Sequence, residues 1–436
     1  MGRSARARTR HRLHAAARSL LGALPRELRF GLYRRMVDCP QVLDDSFEFT
    51  IARTRDDLEA CFALLHDAYV ASGFMAPHAS GLRVTPYHAL PTTTTLAAKV
   101  AGQVVGTLSI VREGVFGFPL QSAFDITAVR ARGGRIAEIS ALAVHPSYRR
   151  TGGKILFPLM KFMYEYCTRF FDTRHLVIAV HPNRIELYES LLFFRRLTAR
   201  TVDRYDFANG APAVGATLDL SEAPQLFRQA YGGRAARRDL HRYFVELELP
   251  NIRFPARDWH VSNDPILTPA LADHFFNART QGFAELGERK KRLLHSIYDL
   301  PEYDAVLPKL PDQPNAGIRS RKYRRYSFKC PGYLTVSGGG QKIRYTMQVV
   351  EVSKYGFQAK TEGMVPLNIW SDATIKLGWH DVSTVKAMAV RDHVNGAADV
   401  YGFNLGEPDL VWNKFVTALT AGKTHGDLEN ATRFMV

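Results

Sequence analysis

Cysteine is scarce in this 436-residue chain. Its four cysteines, Cys39, Cys61, Cys167 and Cys330, stand far apart, with no CxxC and no Cys/His ligand spacing. That excludes a disulfide scaffold and the usual zinc modules, and it suits a reducing, cytoplasmic setting. No uncharged apolar run approaches the ~18 residues that a membrane-spanning helix needs, which argues against an integral membrane protein. Internal repeats are missing. A secretory signal is not expected either, because the apolar piece after Arg18 is short and Pro25 interrupts it. Acid is in deficit: 42 Asp+Glu face 58 Lys+Arg, for a net charge of +16. Apolar residues are plentiful, at 46% hydrophobic and 11% aromatic. That is enough to offset ordering entropy and excludes a mainly disordered chain.

The positive charge is concentrated. Residues 1–35 hold ten arginines, one acid and no lysine, so they carry +9 of the +16. Two readings stand for this arm, taken as a basic tail over 1–44. One is a docking arm for anionic lipid, nucleic acid or an acidic protein, with Leu20 to Leu24 dipping into a membrane interface. The other is a solvated terminus. No specific nucleic-acid partner is expected. A cytoplasmic protein, at most peripheral to the inner membrane, is.

Along the chain, Phe47 to Ile51 alternates as a strand. Thr54 then predicts a helix start, with Leu58, Cys61, Phe62 and Leu65 at helical spacing. Thr94 to Val111 reads as a hairpin turning at Ala101-Gly102-Gln103. Arg135 to Val144 is a strand, followed by a basic glycine loop, a helix over Ile155 to Phe171, a strand over His175 to Val180 and a helix over Arg184 to Phe194. That is an α/β order. Beyond residue 200 come turn-rich segments and a charged helix over Leu286 to Tyr298. Residues 307–317 carry three prolines and read as a linker. After it, residues 326–406 alternate apolar and polar with glycine turns, the pattern of an antiparallel barrel. Val411 to Leu419 reads as a closing helix.

Strand, basic glycine loop and helix N-terminus together suit a phosphate. Small residues let the backbone approach, and the helix end supplies unpaired N–H donors. A solvated basic turn is the plain alternative. The loop, Arg149-Arg150-Thr151-Gly152-Gly153-Lys154, resembles the coenzyme A loop of GNAT acetyltransferases, Arg/Gln-x-x-Gly-x-Gly/Ala. Lys154 departs from that pattern. The resemblance implies an acyl-donor site at Ser140, Arg149, Arg150, Thr151, Gly152, Gly153 and Lys154.

More specifically, residues 45–306 resemble the FeeM-type N-acyl amino acid synthases, relatives of the LuxI-type autoinducer synthases. The resemblance rests on "LLHDAYVASGFMAPHASGLRVTPYHALPTTTTLAAKVAGQVVGTLSIV", "GGRIAEISALAVHPSYRR", "HPNRIELYESLLFF" and "LHSIYDLPEY". It implies transfer of a fatty acyl group from an acyl carrier protein or acyl-CoA thioester to an amino-acid amine, with no tightly bound cofactor and no metal. The strand motif Glu-x-Ser/Thr-Arg appears here as Glu138-Ile139-Ser140-Ala141, without the arginine. Glu138 is the candidate base for the ammonium, or else a structural acid paired with Arg135. Tyr188 is the candidate acid for the leaving thiolate, or else a packed aromatic. Backbone N–H groups near Leu142 to Val144 would hold the thioester oxygen. Phe116, Phe118 and Phe124 either line an acyl channel or are plain core.

Residues 318–422 resemble the PilZ domain, which binds cyclic di-GMP through Arg-x-x-x-Arg and Asp/Asn-x-Ser-x-x-Gly. Arg321 and Arg325 match the first motif. Ser353 and Gly356 match the second, with Glu351 in place of Asp/Asn. Guanidinium groups suit a ligand of two phosphates and two guanines. The whole reads as an α/β GNAT-like N-acyltransferase joined to an all-β PilZ-type barrel that regulates it. The alternative is a catalytically inactive cyclic di-GMP effector.

Overall fold

A computed structural model describes residues 24–149, 151–255, 264, 267–298, 301–310, 323, 325–338, 341–378, 381–391 and 400–420. The arm up to residue 23, Arg150, linker residues 311–317 and Arg321 lie outside the described residues.

The first domain is a mixed sheet between two helical layers. Its strands are β1 (Phe47–Ile51), β2 (Thr93–Val100), β3 (Gln103–Arg112), β4 (Arg135–Val144), β5 (Thr173–Val180), β6 (Arg195–Arg196), β7 (Val202–Tyr205) and β8 (Ala211–Asp219). The sheet order is β1-β2-β3-β4-β5-β8-β6, with β7 also on β8. All neighbours are antiparallel except β4 and β5. A parallel pair needs a crossover, and the helix between them supplies it.

The helices of this domain are α1 (Arg26–Arg35), α2 (Arg55–Ala71), α3 (Thr127–Ala131), α4 (Leu156–Phe171), α5 (Pro182–Leu192), α6 (Ala223–Tyr231), α7 (Pro269–Asp273) and α8 (Glu288–Ile297). Thr54 caps α2 as its sequence predicts, accepting from the Asp57 N–H at 3.2 Å. One core, on the face of α4 and α5, holds Leu159, Phe162, Leu176, Ile178 and Ile185. The other, on the face of α2 and α8, holds Phe62, Leu65, Val177, Phe275 and Leu294. Phe118 and Phe124 are buried in this second core and Phe116 packs against it.

Three features differ from the sequence expectations. β8 is a full inner strand where turns are expected, because Pro212 and Gly215 disguise it. Gly215 is required there: a Cβ would stand 2.6 Å from the Phe124 ring. Part of the basic arm folds onto the domain. On α1, Arg26 and Arg29 pair with Glu189 and Glu186 of α5, each at 2.6 Å, and Arg34 donates to the Ser190 carbonyl. Val37, Cys39 and Leu43 follow it into the core. The start of the expected linker also packs here: Leu307 is buried in the second core, and the Pro308 carbonyl meets His295 at 2.9 Å.

The second domain is a closed antiparallel barrel of β9 (Arg325–Gly338), β10 (Gln341–Ser353), β11 (Gly356–Thr361), β12 (Trp370–Lys376), β13 (Val382–Arg391) and β14 (Val400–Leu405). Its order is β10-β11-β14-β13-β12-β9, and β9 closes on β10. Helix α9 (Leu410–Thr420) buries Trp412 and Phe415 against it. The Trp412 indole N–H spans the Ser353 and Lys354 carbonyls, 3.2 Å from each. Among the described residues, no helix is long and apolar enough to cross a membrane.

Candidate active site

The site forms where two strands part. Parallel pairing of β4 with β5 runs from Arg135↔Thr173 and stops at Glu138↔Val177. Past that point β5 continues on β8 to Val180, while β4 stays with β3. On the β3 side, Ser109 faces Ser140 and Thr107 faces Ala143, so β4 carries one extra residue. The extra residue is a β-bulge, and Ala141 takes φ 54° to make it. Side chains therefore stop alternating. Ala137 and Ile139 belong to the α4 face, and Ala141 joins the α2 face on which Ser140 already stands.

Glu138 is 1% exposed on the α2 face. Its Oε2 accepts from the Leu120 N–H at 2.9 Å, and no partner is described for Oε1. Burial pushes its carboxyl up to about 8, against a small opposing pull from the Leu120 N–H. Arg135 does not pair with it: that guanidinium donates to the Phe171 carbonyl at 3.3 Å. Val111, opposite Glu138 in the ladder, lines a narrow crevice with space for about one water molecule. Arg83, Tyr87, His88, Ser109, Ser140 and Ala141 also line it.

Sequence reasoning missed most of this wall, since Arg83, Tyr87 and His88 carry no local signal. His88 is held neutral: burial first, then the Arg83 charge, depresses its imidazolium to about 3. Its Nδ1 accepts from the Thr85 N–H at 3.0 Å, which leaves the proton on Nε2, 3.5 Å from Ser109 Oγ. Tyr205 is 3% exposed, and its hydroxyl has no hydrogen-bond partner among the described residues.

Tyr188 lies elsewhere. It packs on the α4-face core, with its ring edge-on to Phe194 at 5.8 Å, and burial raises its phenol above the usual range. Glu138 and Tyr188 are thus on opposite faces of the sheet. The structure does not bring them into contact.

The basic loop is open to solvent. Arg149 is exposed and turns back so that Nε donates to the Val144 carbonyl at 2.8 Å. Thr151 Oγ1 donates to the Tyr148 carbonyl at 2.8 Å. Gly152 and Gly153 take φ 65° and 75°, a region that favours glycine. At Gly153 a Cβ would meet the Phe157 ring at 2.4 Å. Lys154 points toward β1, with Nζ 5.7 Å from the Phe47 ring centroid. The loop leads directly into the N-terminus of α4.

In the barrel, Arg325, Glu351, Ser353 and Gly356 line one groove with about 1260 Å³ of empty space. Arg325 Nη1 and Glu351 Oε1 stand 2.6 Å apart. The Ser353 hydroxyl donates to the Gly356 carbonyl at 3.1 Å. A Cβ at Gly356 would lie 2.6 Å from the Phe403 carbonyl oxygen, so glycine is needed for the strands to approach.

A mixed sheet with a bulged, parted β4 and a glycine loop feeding α4 defines a GNAT-like acyltransferase fold. Residues 60–219, a little over a third of the chain, match the family model of the N-acyl amino acid synthase FeeM. The match falls within the first domain, which resembles an N-acyltransferase domain of that type, and the barrel lies beyond it. No curated protein matches the chain. Among solved structures, it is similar to FeeM, an N-acyl amino acid synthase from uncultured soil microbes. That likeness has 23% identity and a TM-score of 0.35, covering 41% of this chain and 93% of that one. The CoA-dependent acyl-homoserine lactone synthase BjaI matches at 17% identity and 0.32, over 48% and 92%. The AHL synthase LasI matches at 17% and 0.33, over 44% and 97%.

Proposed function

We propose that this chain moves a fatty acyl group from a thioester of acyl carrier protein or coenzyme A to the amine of an amino acid. The observation that carries the reading is Glu138, a buried carboxyl with one uncommitted oxygen, placed where β4 leaves β5. The ammonium gives a proton to Glu138, the amine nitrogen attacks the thioester carbonyl carbon, and the C–S bond breaks. Backbone N–H groups of Leu142 to Val144, freed from β5 by the parting, take the developing oxyanion. Tyr188 gives the leaving thiolate its proton and is restored by the second proton, which the nitrogen sheds as the tetrahedral adduct collapses to the amide. The exposed loop of Arg149, Thr151, Gly152, Gly153 and Lys154 takes the donor's phosphate at the head of α4, with Ser140 beside the thioester. A basic rim also speeds encounter with an acidic carrier protein.

The test is to incubate the purified chain with acyl-carrier and acyl-CoA thioesters and mixed amino acids, then identify amides by mass spectrometry. No amide from either donor refutes the reading.

The barrel groove supports a PilZ-type role. Arg325, Ser353 and Gly356 converge on one space, as a ligand with two phosphates and two guanines requires. In this reading cyclic di-GMP regulates acyl transfer. Equal rates without and with saturating nucleotide refute the coupling. An inactive effector would bind nucleotide and form no amide.

A further inference from the structure

Arg83 is a half-buried cation without an anion. Its guanidinium lies 3.9 Å from the Tyr69 ring centroid and 5.1 Å from that of Phe207, and its Nη2 donates to the Phe207 carbonyl at 2.7 Å. No carboxylate pairs with it among the described residues. Two other arginines of this domain differ: Arg112 pairs with Asp264 and Arg279 with Glu59. The two rings fix the plane of the Arg83 fork, and one backbone carbonyl occupies only one of its five donors. The rest are uncommitted, in the crevice that Ser140 and Ala141 also line. With His88 neutral, Arg83 is the one cation on that wall among the described residues. A second orphan stands close by. The Tyr205 hydroxyl is buried without a partner, and its ring packs 6.0 Å from Phe207, the residue that covers Arg83. A buried polar group left unpaired is costly, so such groups mark places where a ligand completes the bonding.

We infer that Arg83 binds the carboxylate of the acyl acceptor, so that this enzyme selects α-amino acids over simple amines. The inference rests on the acyl-transfer reading above and names the substrate group it recognises. A planar carboxylate matches the fork in two-point fashion. In an α-amino acid the amine is two bonds from the carboxyl carbon. A carboxylate on Arg83 therefore delivers the amine to the Ser140–Ala141 wall, beside Glu138. The crevice is narrow, and admitting the acceptor requires its walls to part.

The experiment compares tyrosine with tyramine, and leucine with isoamylamine, as acceptors for the full chain and for Arg83→Gln and Arg83→Lys. The wild type is expected to favour each amino acid over its amine by about 100-fold in kcat/KM, mainly through KM. Arg83→Gln collapses that ratio toward unity. Arg83→Lys restores part of it, because lysine keeps the charge but loses the fork. A thermal melt of both variants separates loss of recognition from loss of folding. A wild-type ratio near one, or an unchanged ratio in a folded Arg83→Gln, overturns the assignment and leaves the acyl-transfer reading intact. No amide from any acceptor overturns both.

Discussion

Glu138→Gln separates stability from activity in a way that only a dry, protonated carboxyl allows. The carboxyl goes from an ordinary value of 4.5 when the chain is unfolded to about 8 when it is folded. The folded state therefore holds the proton more tightly. Its stabilising contribution is complete below the unfolded value and is lost as the pH climbs to the folded one. At ~1.4 kcal/mol per pH unit the whole loss is ~5 kcal/mol, of which about 3 kcal/mol is gone by neutral pH. Gln keeps the size and the acceptor that holds the Leu120 N–H at 2.9 Å, but it does not titrate. The variant should therefore gain on the wild type by ~4 kcal/mol between about pH 5 and about pH 8.5. Over the same range its acyl transfer should fall about 100-fold or more. Hydrogen exchange at the amides of β4 and β5, corrected for the intrinsic pH dependence, reads the local free energy without assuming that both domains unfold together. Parallel stability profiles for the two proteins would refute the reasoning, since Glu138 would then be ionised and hydrated in the folded state. In the wild type, kcat/KM should rise with pH through about 8.

Tyr188→Phe removes a hydroxyl with no described hydrogen bond. Stability should hold to within ~0.5 kcal/mol while the single-turnover rate drops about 100-fold; an unchanged rate reduces Tyr188 to a packed aromatic. Gly153→Ala sets a methyl against the Phe157 ring at a positive φ, and should cost ~1–2 kcal/mol and raise KM for the acyl donor, read by thermal melting and initial rates. Glu351→Gln breaks the ion pair with Arg325 and frees the guanidinium for phosphate. Cyclic di-GMP affinity should tighten by ~1 kcal/mol in calorimetry, and an equal Kd would show that the pair does not compete with the ligand.

Much of the frame was legible because its signals are local. Alternation marked β1, the turn at Ala101-Gly102-Gln103 marked the β2–β3 hairpin, and the Thr54 hydroxyl marked the start of α2. What escaped depends on distant partners. Glu186 and Glu189, more than 150 residues away, hold Arg26 and Arg29, so charge alone read α1 as part of a solvated or docking arm. β8 was hidden by a glycine whose purpose is to accommodate Phe124. The motif Glu138-Ile139-Ser140-Ala141 marked the strand proposed here as catalytic. Nothing in an alanine announces the positive φ that turns residue 141 onto the α2 face. Spacing likewise could not show that Glu138 and Tyr188 stand on opposite sides of the sheet, because faces are set by register. Arg83 and His88 lie inside a stretch that carries the family resemblance, but nothing there marks them as a crevice wall, which is assembled from segments that share no periodicity.

The alanine at 141 and the basicity of Glu138 belong to one arrangement. A carboxylate of ordinary acidity is a poor base for an amino-acid ammonium, because the proton must climb several pH units to reach it. Raised to about 8, Glu138 comes close to an α-amino group, and transfer becomes nearly level. That value depends on keeping positive charge away. An arginine at 141 would project from the bulge onto the same face, where an opposite charge within a few ångströms pulls a carboxyl down by 1–3 units. With alanine there, burial pushes the carboxyl up against only the Leu120 N–H. The bulge still provides the other half of the site: the extra residue bends β4 past Glu138 while it stays paired with β3, and on the other side β4 leaves β5, so a thioester can enter beside a proton acceptor shut off from solvent.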